Sequence, residues 1–409
     1  MMKGDFLYLD YAATAPISNI VSREYYDSLQ YFGNPAAFYK EGEKSYQIIQ
    51  QSKQNILKNL GYNENHDIMF TSGATESINT IFYSYQPDLV ITSDLEHHAT
   101  DEATNHTSAY IIRLSLFNII TATPNYLNDL NKSFTKILIS IIAVNNETGL
   151  VIPAEKINNI KEYVRSKFPD AIIIVHVDFT QGFCKIPYDM TNIDCYSFSA
   201  HKIGFFKGFG GLVYRKDTIE SYIKTNSLMK GGHQQAGLRS GTENAMFIYL
   251  LDKLIEDHMN KLVSNYQKAC ILKSAFYQII PEITKKYVNA IDLLFTSKDN
   301  NEYSPYIINF SLLGIEGESL VSALGNSIGI STGSACSEED LSGSKVIKNY
   351  YKQYGATSEE QDLYANSAVR ISYDTSLALD QIVDVFQPEF EKAVKTLARA
   401  SSYKRIKND

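Results

Sequence analysis

The chain has 409 residues, 44% of them hydrophobic and 21% charged, with a formal net charge of −8. This is the composition of an ordinary globular protein, long enough for a large core and two subdomains, and its acidic balance argues against direct nucleic-acid binding. The opening MMKGDFLYLDYAATAP has an early acid and no long apolar run, and no stretch is apolar for long enough to span a membrane. Neither a signal peptide nor a membrane partner is expected, and cytoplasm is the default location.

Tyr8 to Pro16 reads as a short strand entering a turn. From Phe38 to Leu60 the positions Tyr46, Ile49, Ile56, Leu57 and Leu60 recur at helical spacing and Gly61 ends the run, which predicts one amphipathic helix. Ile68–Thr71 is a short strand, and Ser72-Gly73-Ala74-Thr75-Glu76 follows it and opens a helix. Free N–H groups at such a helix start, with the Thr75 hydroxyl, suit an anion. A plain tight connection has the same composition.

Leu89–Thr92 is a strand that runs into Ser93-Asp94-Leu95-Glu96-His97-His98. Neighbouring side chains diverge and no third ligand is spaced to join the two histidines, so no metal site is expected. An imidazole here suits stacking on a cofactor ring and moving protons. Ile137–Val144 is the most apolar strand and ends in Asn145-Asn146-Glu147-Thr148-Gly149, either a ring-binding asparagine or a plain Asn-rich turn.

The run Ala171–Val177 is a buried strand followed at once by Asp178, and a second strand, Asp194–Ser199, ends in Ser-Ala-His-Lys. An acid at one strand end and a lysine at a nearby one suit pyridoxal phosphate (PLP), whose aldehyde needs an amine and whose ring nitrogen needs a carboxylate. Lys202 and Asp178 are assigned those roles. Gln181 suits the ring hydroxyl, and Ser199 and His201 suit the phosphate. Strands alternate with helical stretches from about residue 35 to 255, the pattern of a mostly parallel α/β sheet with helices on both faces. Each candidate group lies just past the carboxyl end of a strand, the edge where such sheets bind ligands.

Beyond Lys202, a glycine-laced turn enters another strand, and Gly231 to Asn244 contains Arg239-Ser240-Gly241-Thr242, either a phosphate contact or a flexible surface loop. Residues 246–280 read as one long helix. Tyr306–Leu313, Leu320–Leu324, Ile328–Ile330 and Val369–Ser372 alternate strand and helix signals. Residues 14–255 are therefore read as a large cofactor domain, with 1–13 and 256–409 as a smaller α/β domain.

Cys184, Cys195, Cys270 and Cys336 show no CxxC or metal-ligand spacing, and four cysteines in this length make no disulfide framework. Cys184 and Cys195 lie among apolar or strand residues and Cys270 in a helical stretch, so these read as structural. Cys336 lies in Ser331-Thr332-Gly333-Ser334-Ala335-Cys336-Ser337, ahead of a polar stretch to Asn366 expected to pack loosely. Exposure and mobility are what a reactive thiol needs.

Taken jointly, YLDYAATAP, GNPAAF, FTSGATES, EHHA, VNNETG, VDFTQ, SFSAHK, RSGT, NFSLLGIEGESL, TGSAC and VRIS resemble, nearly end to end, the cysteine desulfurases of the NifS/IscS type among the class V aminotransferase-like enzymes. The resemblance implies a fold type I PLP enzyme with a mostly parallel seven-stranded sheet. It implies that Lys202 holds PLP and takes the Cα proton of L-cysteine, that Asp178 and Gln181 hold the ring, and that Asn146 lies near substrate and cofactor. It makes His97 the stacking proton carrier, places Ala74, Thr75, Ser199 and His201 at the phosphate, and sends Thr242 to the phosphate of the other subunit of a homodimer. Arg370 takes the substrate carboxylate, and Cys336 takes the sulfur as a persulfide and delivers it to an acceptor protein, an iron–sulfur scaffold or a thiolation enzyme. A related aminotransferase or selenocysteine lyase, or a silent sulfur-transfer scaffold, are the alternatives.

The sequence departs from the family in three places. Gln234-Gln235-Ala236-Gly237 replaces Gln-Glu-Arg-Gly, which removes an expected ion pair. Gly204-Phe205-Phe206 replaces Tyr-Gly-Pro. Asp374 replaces a glycine after VRIS and is expected to compete for Arg370.

Overall fold

A computed structural model describes residues 6–62, 64–121, 127, 132–332 and 343–401. The chain forms two compact units, one of Thr14–Ala143 and Ile152–Leu262, the other of Met1–Ala13, Val144–Val151 and Val263–Asp409. Among the described residues no helix is long and apolar enough to cross a membrane.

Strand β1 (Leu7–Tyr8) belongs to the smaller unit. The next seven build the sheet of the larger one: β2 (His66–Thr71), β3 (Leu89–Ser93), β4 (Tyr110–Leu114), β5 (Lys136–Ile142), β6 (Ile172–Asp178), β7 (Cys195–Ser199) and β8 (Gly210–Arg215). Their order is β2-β8-β7-β6-β5-β3-β4. Only β8 runs against its neighbours; β7, β6, β5, β3 and β4 are parallel. The mostly parallel seven-stranded sheet is thus as expected. The carboxyl ends of β2, β7, β6, β5 and β3 share one edge, and the first residue of β8, Gly210, lies opposite both Thr71 and Ser199 there. Central strands are continuous apolar runs because both faces are covered: β3 is buried throughout, and Ile137–Ile142 and Ile173–Asp178 likewise. Edge strand β4 is largely accessible, and its mixed pattern explains why periodicity did not reveal it.

A polar element is buried in this sheet. His176 on β6 lies between Ser140 Oγ on β5 (2.9 Å from Nδ1) and Ser197 Oγ on β7 (3.2 Å from Nε2), and all three side chains are inaccessible. Burial lowers the imidazole pKa to about 4, against an opposing pull from Asp178. Above the unfolded value of about 6.5 both states are neutral. As pH falls from about 6.5 to about 4 only the unfolded chain takes the proton, so stability is lost across that window, by about 3 kcal/mol at most. His176→Gln keeps hydrogen-bonding ends without a titrating ring. Urea midpoints measured at pH 7 and pH 5 should differ less in the variant than in the wild type. An equal difference in both would assign the acid sensitivity elsewhere.

In the smaller unit, β1 pairs with β11 (Ile328–Gly329), and β10 (Ile307–Leu313) lies between β9 (Asp292–Phe295) and β12 (Ala368–Ser372). Its core joins Phe276, Ile308, Phe310, Ile371, Phe386 and Phe390. Two expectations need correction. The single helix over 246–280 is two, Ala245–Asn260 and Leu262–Thr284, broken at Lys261. The polar stretch read as loosely packed contains, in its described part, two helices, Lys345–Lys352 and Ser358–Asn366. Ser344 caps the first and a Thr357–Glu360 capping box starts the second. Val346, Ile347, Tyr350 and Tyr351 are buried, with the Tyr350 hydroxyl on Tyr303 and the Tyr351 hydroxyl on Thr296. Tyrosine buries its ring while its hydroxyl is bonded, which composition alone read as polar.

Candidate active site

The sequence-predicted residues fall into two groups. Ala74, Thr75, His97, Asp178, Gln181, Ser199, His201, Lys202 and Thr242 belong to the larger unit, and Asn146 and Arg370 to the smaller. Cys336 lies outside the described residues.

In the larger unit, Asp178 is the last residue of β6, 3% exposed, and its Oδ1 accepts the Thr180 N–H at 3.0 Å. Lys202 lies on a short 3-10 turn, Ala200–Ile203, directly after the adjacent β7. Ala15 N–H to His201 O (2.9 Å), Ala200 N–H to Phe209 O (3.0 Å) and Phe205 N–H to Ala200 O (3.2 Å) pin that turn. Gly204 closes it at φ +89°, where a Cβ would stand 3.1 Å from Pro16 O. Both Asp178 and Lys202 act on His97.

His97 caps the helix His98–Asn105, its Nδ1 accepting the Ala99 N–H at 3.1 Å. A backbone N–H can only donate, so Nδ1 is bare and the neutral ring carries its proton on Nε2. Burial lowers its pKa, with Lys202 and His98 acting the same way and Asp178 opposing. The rings of His97 and His98 stand 6.2 Å apart at 72°. Glu96, which sequence reasoning left without a role, is buried beneath this segment. Its Oε1 accepts from Ser93 Oγ (2.5 Å) and from the Ile142 N–H (2.9 Å), tying the ends of β3 and β5 together. Burial pushes its carboxyl up to about 8, and Oε2 has no partner among the described residues.

The turn after β2 is built from close backbone approaches. Gly73, at φ +156°, precedes the helix Ala74–Tyr85. A Cβ on Gly210 would stand 2.3 Å from Phe198 O and 2.7 Å from Gly73 Cα. The Ala74 N–H donates to Ser199 Oγ at 2.8 Å, which orients that hydroxyl. Thr75 is exposed in the first helical turn and Thr242 in its loop. His201 Nδ1 lies 3.1 Å from Thr14 Oγ1. Burial lowers the His201 pKa to about 4, reinforced by Lys202, Lys207 and Lys185. Cations gathered beside two hydroxyls and a helix N-terminus form a donor set that fits a phosphate, and a buried carboxylate next to a lysine-bearing turn fits a pyridinium aldehyde.

The loop carrying Thr242 is held by residues that depart from the family pattern. Gln235 adds to edge strand β2 like a further strand residue: Phe70 N–H donates to its Oε1 (2.7 Å) and its Nε2 donates to Phe70 O (2.8 Å). Nearby, Arg239 pairs with Glu76 at 2.9 Å, and Glu76 also accepts the Ser72 N–H.

In the smaller unit, Arg370 on β12 is 3% exposed. Its Nη2 meets Asp10 Oδ1 at 2.8 Å, its Nη1 donates to Asn146 O at 2.8 Å, and its Nε is buried with no partner among the described residues. The expected competitor, Asp374, instead accepts from the backbone N–H and hydroxyl of Ser376. The acid on Arg370 is Asp10, 360 positions away in the chain. Of the two asparagines, Asn145 is buried and its Oδ1 organises the turn through Glu147 N–H, Thr148 N–H and Thr148 Oγ1.

Residues 7–374 match the family described as aminotransferase class-V. The chain is 33% identical over 361 residues to a cysteine desulfurase IscS of Buchnera aphidicola subsp. Schizaphis graminum, covering 84% of this chain and 83% of that one. It resembles the X-ray structure of a NifS-like protein from Rickettsia africae ESF-5, with 25% identity, a TM-score of 0.77 and coverage of 95% and 99% of the two chains. It also resembles a structure of SspA in complex with cysteine, at 25% identity, a TM-score of 0.67 and coverage of 90% and 98%.

Proposed function

The chain belongs to the class V aminotransferase family and is a PLP-dependent cysteine desulfurase; from that premise we propose the residue roles by which it converts L-cysteine to L-alanine and a persulfide on Cys336. The observation that carries the reading is the pairing of a buried acid ending β6 with a lysine-bearing turn after the adjacent β7, together with a histidine whose Nδ1 is committed to a helix cap.

PLP, when bound, supplies the electron sink that lets the substrate Cα lose its proton. Lys202 attaches the cofactor and carries that proton. Asp178 would hold the ring nitrogen in its protonated form, and Gln181 would hold the ring hydroxyl. His97 would lie against the ring, and the proton it can offer is on Nε2, since its Nδ1 is committed to the helix cap. Ala74, Thr75, Ser199 and His201 form the phosphate site, and the exposed Thr242 serves the phosphate of the second subunit in a homodimer. Arg370, with Asn146 beside it, receives the substrate carboxylate; the buried Nε supports that assignment.

The Cys336 thiolate attacks the sulfur of the bound substrate. An S–S bond forms as the substrate Cβ–S bond breaks, the electron pair of the broken bond ends in a new Cβ–H bond once a proton is delivered to Cβ, and alanine leaves with the sulfur held on Cys336 as a persulfide. The persulfide then passes to an acceptor protein in iron–sulfur cluster assembly or thiolation.

Incubating the holoenzyme with L-cysteine should yield alanine and a protein persulfide, mapped by mass spectrometry of alkylated peptides to Cys336. Cys184 and Cys195 are buried and burial raises their thiols, and burial also raises Cys270, so these three should stay unmodified. Alanine formation by transamination with a keto acid, without any persulfide, would favour the aminotransferase reading instead.

A further inference from the structure

We propose that Lys185 is a positioning residue for the cofactor ring, fixing the Gln181 amide with its donor edge turned from the lysine and placing a positive charge behind it. The inference rests on the assignment of Gln181 to the ring hydroxyl. Lys185 Nζ donates to Gln181 Oε1 at 3.2 Å, and Gln181 is 3% exposed. An ammonium has three donors and no acceptor, so this contact decides the amide orientation: Oε1 faces Lys185 and Nε2 lies on the amide's opposite edge. An unfixed amide can turn its oxygen toward a ring oxygen and repel it.

The turn between Asp178 and Ile186 is shaped to bring the two residues together. Gly182 and Phe183 donate to Phe179 O (3.0 and 2.7 Å), and Lys185 and Ile186 donate to Gly182 O (both 2.9 Å). Gly182 is required, since a Cβ there would stand 2.1 Å from the Phe179 ring. Cys184 is held at φ +56°, a left-handed conformation that is unfavourable for a non-glycine residue. It turns the chain so that Lys185 returns over Gln181. The lysine charge extends past this contact, because it also acts on His201. One short segment thereby carries the ring-nitrogen acid, the ring-oxygen amide and the cation that orients the amide.

A positive charge behind Gln181 favours the ionised ring oxygen and disfavours the proton held between that oxygen and the Lys202 nitrogen. The test is a pH titration of the visible band of the holoenzyme, with PLP rebinding to the apoprotein, for wild type, Lys185→Met, Lys185→Arg, Gln181→Leu and the double variant Gln181→Leu/Lys185→Met. Lys185→Met should move the spectral midpoint upward by about one pH unit or less and weaken PLP binding by about 10-fold. Lys185→Arg should restore most of both. In the Gln181→Leu background the lysine substitution should add little to either. A midpoint moved by Gln181→Leu but not by Lys185→Met overturns the proposal and leaves the Gln181 assignment standing. A midpoint moved by neither overturns both. A loss of thermal stability in Lys185→Met with an unmoved midpoint reduces Lys185 to a support of the turn.

Discussion

Lys202→Ala should fold, lose the covalent cofactor and turn over no measurable L-cysteine. The fold is expected to survive because the Ala200–Ile203 turn is held by backbone bonds from Ala15, Ala200 and Phe205 and by the left-handed Gly204, none of which uses the lysine side chain. The chemistry is expected to fail twice. Without the amine, PLP is held only by the groups at its ring and phosphate. Without the base, proton transfer at the substrate Cα loses about 10²–10⁴-fold on its own. The protein should therefore lack the visible band of the attached cofactor, bind PLP reversibly and form no persulfide from L-cysteine. Lys207→Ala is the control: Lys207 is an exposed lysine five positions on whose charge also acts on His201, and its loss should leave the covalent band in place. Retention of a reducible covalent adduct in Lys202→Ala, trapped by borohydride, would show that another amine carries the cofactor.

What could be read in advance follows the range of the interactions. β5 and β6 are unbroken apolar runs covered on both faces, so composition and length were enough to place them, and the acid and the SAHK turn at their shared edge followed from position. The helix Lys40–Asn59 carries its own period. The companions of the candidate residues are another matter. Asp10 reaches Arg370 across 360 positions, Gln235 reaches Phe70 across 165, and Glu96 bridges β3 and β5; tertiary structure creates each of these contacts. Lys185 lies only four positions from Gln181, yet the turn between them holds Cys184 in a left-handed conformation that no propensity favours. The helices of 343–366 were missed because tyrosine and lysine read as polar, whereas Tyr350 and Tyr351 are core residues with bonded hydroxyls. Asp374 was misplaced for a related reason: it lies near Arg370 in sequence, but Ser376 satisfies it within its own turn.

Arg370→Leu should raise the KM for L-cysteine by about 10²-fold while leaving PLP attached, because a charge-assisted bond to a desolvated carboxylate contributes about 1.5–3 kcal/mol. Arg370 is fixed from both ends. Its backbone exchanges hydrogen bonds with Ser331 (2.6 and 3.2 Å), and its guanidinium is held by Asp10 and the Asn146 carbonyl. The buried Nε, without a partner among the described residues, is one of the donors left for a carboxylate, and Lys, with one mobile point charge, cannot reproduce a planar fork of donors. Arg370→Lys should consequently recover only a small part of the loss. Asp10 makes the more discriminating case. Asp10→Asn keeps an acceptor for Nη2 but removes the counter-charge, so the guanidinium is less firmly oriented; KM should rise about 10-fold with kcat nearly unchanged. The substrate form separates this from general damage. With L-cysteine methyl ester, which carries no carboxylate, wild type, Arg370→Leu and Asp10→Asn should give closely similar binding-induced spectral changes. If the ester loses as much as L-cysteine does, Arg370 supports the fold of the smaller unit and the carboxylate is received elsewhere.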